Sequence, residues 1–199
     1  MANYSNIFVN EGLSYPEYRD LIISLLKENR STSNDNSEEM LHYSKLNIQR
    51  MNRIEKTAVL TDFLVEKIKN LKKHYHIMVI TEGWCGDAAQ IVPLFQKMTE
   101  ILPEKFDLRF VLRDQNLPLI DAYLTNGARS IPVVLLLDDA GWLVAKWGPR
   151  PAAAQAVLNH WKAETADNNL QSEQLHLWYS RDKTQATQEE LAMLLLNLP

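Results

Sequence analysis

Cys85 is the only cysteine in the chain, and it stands in the tract Trp84-Cys85-Gly86-Asp87-Ala88. The tract joins an apolar run, Ile77-Met78-Val79-Ile80-Thr81, to a stretch with helical periodicity. A thiol at such a junction is placed for nucleophilic chemistry. Unpaired backbone N–H groups and the positive end of the helix dipole lie there, and both favour a thiolate. The thiolate is the nucleophile of thiol–disulfide exchange. Gly86 is expected to keep the turn tight and leave room for a substrate to approach the sulfur. Asp87 acts in the opposite sense. A carboxylate two residues on stabilises the helix end but repels a thiolate, which raises the cysteine pKa. The competing reading of Cys85 is a buried, inert thiol that packs as a small hydrophobe.

The elements that would position this thiol follow from periodicity. Ile77–Thr81 is short and β-branched, as a buried strand is. Ile91, Leu94, Phe95, Met98, Ile101 and Leu102 recur at spacings of three and four, which predicts a helix from Ala88 to Ile101. Phe106 to Leu112 alternates and predicts a second strand. Leu117 to Leu124 predicts a short helix. Gly127-Ala128-Arg129-Ser130-Ile131-Pro132 then leads into a third strand, Val133–Leu137. Asp138-Asp139-Ala140-Gly141 predicts a hairpin turn into Trp142–Trp147, and Pro151–Trp161 a closing helix.

Trp84-Cys85-Gly86-Asp87-Ala88, the Ile131-Pro132 step and this order of elements together resemble the thioredoxin family, over residues 77–165. The tract resembles the family's W-C-G-x-C motif with Ala88 in place of the second cysteine. The chain is most similar to thioredoxin-like proteins of bacteria that carry W-C-G-D-[AS]. The resemblance implies an α/β fold with a mixed central sheet flanked by helices. It also implies that Pro132 is a cis proline against the reactive sulfur, and that Ile131 offers backbone groups to an extended peptide. Taken by itself, Pro132 reads as a trans proline that starts a strand.

The departures from the family pattern carry information too. Without a second cysteine at Ala88, a mixed disulfide on Cys85 is released only by an outside thiol. Val79 stands where thioredoxins often carry a buried aspartate that serves the second cysteine. Arg129 lies three residues before Pro132 and is expected to oppose Asp87, or to bind the carboxylate of a small thiol. Its plainer reading is a solvated loop arginine. Ser130 lies beside it. Glu82 and Trp84 flank the thiol, with Trp84 as either a contact surface or a packing residue.

Other chemistry is weakly supported. His74-Tyr75-His76 puts two imidazoles on one face of a strand, where they would share a metal. No third ligand is evident in the neighbouring sequence, so no metal site and no bound cofactor is expected. There is no glycine-rich phosphate loop and no paired-cysteine zinc spacing. Arg50, Arg53 and Lys56 form only a short basic cluster. No peroxidatic P-x-x-x-[TS]-x-x-C pattern surrounds Cys85.

The chain has 199 residues, a net charge of −4 and 46% hydrophobic residues, in the range of ordinary globular proteins. That balance argues against nucleic acid or an anionic membrane as partner. No basic-flanked apolar run opens the chain and no stretch is long enough to span a bilayer, so the expected location is cytoplasmic.

The thioredoxin-like domain is placed at 76–165. Residues 1–75 are expected to be a helical extension packed on it. Ser14-Tyr15-Pro16-Glu17 is a capping box, followed by an apolar stripe at Leu21, Ile22, Leu25 and Leu26. Further helices are predicted at Ser37–Arg53 and Lys56–Leu71. Residues 166–199 are expected to be a C-terminal helical tail. It is read as polar from Ala166 to Ser172, with a last helix opened by a capping box at Thr187-Gln188-Glu189-Glu190. That helix packs either on the core or on a second subunit.

Three functions follow. The first is a single-cysteine thiol–disulfide oxidoreductase, with Cys85 as nucleophile, protein disulfides as substrates and an external small thiol as co-substrate. The second is a non-catalytic module that binds an extended peptide at Ile131-Pro132. The third is a redox sensor in which capping of Cys85 alters docking of the helical extension.

Overall fold

The computed structural model describes residues 2–198. Four strands form one mixed sheet in the order β2-β1-β3-β4. They are β1 (Tyr75–Thr81), β2 (Phe106–Leu112), β3 (Val133–Leu137) and β4 (Leu143–Trp147). β1 and β2 are parallel, with His76 opposite Asp107 and Thr81 opposite Leu112. A parallel pair requires a crossover, and α5 (Gly86–Ile101) supplies it. β3 runs antiparallel to β1, and β4 antiparallel to β3. Ile77 to Ile80 and Val133 to Leu137 are buried throughout. Both strands are central, so both read as continuous apolar runs rather than alternating ones. α6 (Leu117–Asp121) and α7 (Ala152–Glu164) complete the expected order. The α/β class with helices at both ends of the chain is therefore as the sequence indicated.

The hairpin after β3 is fixed by Asp138, whose Oδ1 accepts from the N–H groups of Ala140 and Trp142. Trp142 does not begin the fourth strand. It bridges to Asn3, so the start of the chain is sewn to this turn. Leu13 does the same for β2, exchanging backbone hydrogen bonds with Phe110.

The N-terminal helices are α1 (Ser5–Asn10), α2 (Tyr15–Lys27), α3 (Glu38–Thr57) and α4 (Asp62–Lys69). The Ser14–Glu17 capping box forms as expected. The break between the third and fourth helices lies later than the sequence suggested. α3 runs on to Thr57, and the chain turns at 58–61, leaving Val59 79% exposed rather than on an apolar stripe. Thr61 then caps α4 by accepting from the Leu64 N–H.

The C-terminal segment differs more. It holds two helices, α8 (Asn168–Asp182) and α9 (Gln185–Leu196). Asp167 caps α8 by accepting from the N–H groups of Asn169 and Leu170, so the segment read as a polar link starts a helix. Thr187 and Gln188 do not cap anything. They are buried inside α9, and Gln188 ties that helix to the Thr61 N–H and the Val59 carbonyl. The break between α8 and α9 is made by Lys183 and Thr184, both left-handed at φ 52° and 71°. Neither is glycine, so composition gives no sign of the turn. α3 packs on α5, α9 on α4 and β4, and α7 on α8.

Candidate functional site

Cys85 is the N-cap of α5, immediately past the end of β1. Its Sγ accepts from the Ala88 N–H at 3.4 Å. The S–H donates to the Ile131 carbonyl at 3.3 Å. The Ile131–Pro132 peptide bond is cis. Gly148 lies against this step, and a Cβ there would stand 2.3 Å from the Pro132 carbonyl oxygen. The backbone thus brings together Cys85, Ala88, Ile131 and Pro132, with Ser130 on the adjoining loop.

The thiol is 6% exposed. Burial, and secondly the Asp87 carboxylate, push its pKa up to about 12 against the smaller pull of the Ala88 N–H and Arg150. The two opposed influences read from the sequence are therefore resolved. Desolvation adds to Asp87, and the helix end does not outweigh them. At neutral pH the thiol is protonated in this arrangement, consistent with its bond to a carbonyl.

Asp87 is buried and fully engaged. Arg150 donates to its Oδ2 from Nε at 3.0 Å and Nη2 at 2.6 Å. Tyr179 of α8 donates to its Oδ1 at 2.6 Å. Burial first, then Asp87, holds the Tyr179 phenol well above its ordinary pKa. Arg129 had two readings, opposed to Asp87 or a solvated loop arginine. In the fold Arg150 stands by Asp87, and Arg129 stays exposed on its loop in a two-pronged pair with Asp121 at 2.6 and 2.9 Å. Arg150 follows Gly148-Pro149 just before α7, and that turn aims it inward. A buried carboxylate demands a partner, and since the burial of Asp87 appears only in the fold, no sequence signal pointed to Arg150.

Gly86 also has a different neighbour from the one expected. The space beside it holds the imidazole of His176, and a Cβ on Gly86 would stand 2.6 Å from His176 Nε2. His176 Nδ1 lies 3.2 Å from Gln90 Nε2. Burial, then Arg50, depresses its pKa to about 4. Arg53 donates to Gln90 Oε1 at 2.8 Å, and Asn47 Nδ2 to the Gly83 carbonyl at 3.0 Å. Residues of α3 and α8 thus close over the Cys85 turn. A groove of about 1200 Å³ runs between these helices, with Arg50 and His176 in its wall. Cys85 does not line it.

On the other flank, Glu82 has no exposed surface. Thr32 donates to its Oε2, and the Asp114 N–H to its Oε1 at 2.9 Å. Burial raises its pKa to about 7. Trp84 is half-buried under the Arg113 guanidinium, 4.7 Å from the ring centre. Its indole N–H is buried with no hydrogen-bond partner among the described residues. Arg150, Tyr179, His176 and Thr32 are the site residues that sequence reasoning missed.

The profile of a protein family described as thioredoxin matches residues 33–165. No curated protein matches the chain. Two solved structures share the fold. One is a protein of unknown function from Pseudomonas aeruginosa, 16% identical, with 92% of this chain and 97% of that chain covered and a TM-score of 0.54. The other is an HIV epitope-scaffold, 17% identical, covering 94% and 100%, with a TM-score of 0.56.

Proposed function

The chain belongs to the thioredoxin family, and from that premise we propose that Cys85 performs single-cysteine thiol–disulfide exchange once α8 moves aside. The observation that carries this is the seat of Cys85 Sγ, between the Ala88 N–H and the Ile131 carbonyl beside Pro132. With the cover displaced, the sulfur faces water and the helix end, and the burial that holds it protonated is removed. The Cys85 thiol gives its proton to solvent. The thiolate attacks one sulfur of a substrate disulfide, forms a mixed disulfide and expels the other sulfur as a thiolate. Ala88 offers no second thiol. A small external thiolate therefore attacks the substrate-side sulfur of the mixed disulfide and expels Cys85 as a thiolate, leaving that sulfur in a disulfide with the small thiol. A second small thiolate then releases the substrate thiolate and forms the small-thiol disulfide, so two co-substrate thiols supply the electron pair of each reduction. The Ile131 carbonyl, released from the S–H, becomes available to pair with an extended substrate, and Trp84, Gly86, Asp87, Ser130 and Pro132 frame its approach. Arg129, committed to Asp121, lies at the rim of this surface rather than opposite Asp87.

In this reading the protein works in a reducing, cytoplasmic setting and belongs with the W-C-G-D-[AS] variants of bacteria. No helix among the described residues is long and apolar enough to cross a membrane.

The test is adduct formation. Native protein is incubated with glutathione disulfide, and Cys85 is followed by intact mass. A glutathionylated Cys85 that reduced glutathione then releases supports the proposal, with Cys85→Ser unreactive. Modification that occurs only after unfolding defeats it. A second reading, a binding module with Cys85 as a packing residue, is favoured by one specific observation, the protonated and buried thiol. It requires partner capture that survives Cys85→Ala.

A further inference from the structure

At the end of β1 remote from Cys85, the sheet supplies what the sequence around His74 and His76 lacks. The parallel register sets Asp107 beside His76. The turn after β3 brings Asp139 Oδ1 to 2.7 Å from His74 Nδ1. One donor atom each from His74, His76 and Asp139 lies within 4.8 Å of the others. Asp107 Oδ2 stands 3.5 Å from His74 Nε2 and 3.3 Å from His76 Nδ1. Two imidazoles and the Asp139 carboxylate, from two separate stretches of chain, form one donor group, and Asp107 borders it from the His74 Nε2 side.

Ordinary ion pairing explains His74, which is hydrogen-bonded to Asp139. It does not explain His76. Its Nδ1 is buried and makes no hydrogen bond among the described residues, although Asp107 Oδ2 is 3.3 Å away. With metal–ligand bonds of about 2.0–2.2 Å and tetrahedral angles, neighbouring ligands stand about 3.4 Å apart, and the donors of His74, His76 and Asp139, all within 4.8 Å of one another, need only a small adjustment to share one ion. Asp107 Oδ2 lies beside nitrogens of both rings, on the opposite side of His74 from Asp139, where it orients the imidazoles. The His74 and His76 side chains are 24% and 20% exposed, so they are largely desolvated, while the carboxylates keep the cluster open to water. The Phe8 ring, 4.6 Å from the His76 ring, packs beside it. Imidazole with carboxylate suits zinc and its neighbours, whereas calcium and magnesium take all-oxygen sets. Two carboxylates also balance a charge of two.

We propose that His74, His76 and Asp139 bind a divalent transition-metal ion of the zinc class, with Asp107 orienting the imidazoles from β2. The ion ties the start of β1 to the β3–β4 turn, at the end of the sheet away from the thiol. It is a structural clamp separate from the Cys85 chemistry.

The experiment titrates Zn²⁺ and Co²⁺ into the full-length Cys85→Ser protein, which removes the only thiol. Calorimetry and the visible cobalt spectrum read the binding. The expected result is one ion per chain with micromolar affinity and a Zn²⁺-dependent rise in Tm. His74→Gln and His76→Gln abolish it, and Asp107→Asn and Asp139→Asn each weaken it about 10-fold or more. In the same unsubstituted-histidine protein, Zn²⁺ shifts the ring resonances of His74 and His76 and leaves those of His42 and His160 in place. This second readout stands even if a variant fails to fold. Saturation only at millimolar metal, binding unchanged in the His74→Gln/His76→Gln variant, or shifts at His42 and His160 instead would each overturn the assignment.

Discussion

Tyr179 and Asp87 are 92 residues apart in sequence, and the Tyr179 hydroxyl donates to Asp87 Oδ1 at 2.6 Å in the fold. This bond fastens α8 to the first turn of α5, beside the thiol. Tyr179→Phe leaves a buried carboxylate oxygen without its donor, at a cost of about 1–3 kcal/mol. Urea unfolding measures that loss, and alkylation of Cys85 at fixed pH is expected to quicken. Alkylation that stays as slow as in the parent would mean that α8 does not control access.

Asp87 and Arg150 act on the thiol with opposite signs. Arg150→Ala strands a buried charge and is expected to destabilise by about 3–5 kcal/mol. Asp87→Asn removes the largest charge effect that raises the Cys85 pKa, so the midpoint of the alkylation–pH profile moves down from about 12. Each unit of that fall makes alkylation about tenfold faster at neutral pH. A midpoint that does not move would show burial acting alone.

Gly86→Ala tests the packing of His176. A Cβ 2.6 Å from His176 Nε2 displaces the imidazole, with an expected cost of about 1–3 kcal/mol. The double variant Gly86→Ala/His176→Ala should recover much of that loss. Additive losses in a double-mutant cycle would contradict the contact.

Two buried groups give the stability curve opposing slopes. His176 has its pKa lowered to about 4, so its contribution is present above the ordinary value of 6.5 and is lost as pH falls through 4. Glu82 has its pKa raised to about 7, so its contribution is present below 4.5 and is lost as pH rises through 7. Unfolding free energies measured from pH 4 to 8 separate them. His176→Gln removes the acid-side loss, and Glu82→Gln removes the loss on the way to neutrality. Unchanged slopes in both variants would refute these assignments. Cys85 adds a third window, losing stability as pH climbs from about 9 to 12.

The core of the molecule was legible because periodicity and local turn chemistry decide it. β1, α5, β2, β3 and the hairpin at Asp138–Gly141 follow from apolar spacing and turn residues alone. The capping box at Ser14 was readable for the same reason. What escaped was set by distant contacts. The break between α8 and α9 rests on Lys183 and Thr184 in left-handed conformation, which no composition rule marks. Arg150 replaced Arg129 beside Asp87 because the turn at Gly148-Pro149 directs it inward, and nearness to Pro132 in sequence said nothing of that. His176 and Tyr179 sit in the C-terminal helical tail, where no motif marks them, and their value comes only from packing on α5. Asp107 and Asp139 were invisible as partners of His74 for a similar reason, since sheet register unites them.

The family match ends at residue 165, and α8 begins at Asn168. Of the two helices that close over the Cys85 turn, α8 therefore lies downstream of the part that defines the family, while α3 lies within it. On the ribosome, Cys85 leaves the exit tunnel well before His176 and Tyr179 are made. The hydrogen bond from Tyr179 to Asp87 and the contact of His176 with Gly86 are therefore among the last to form as the chain is made.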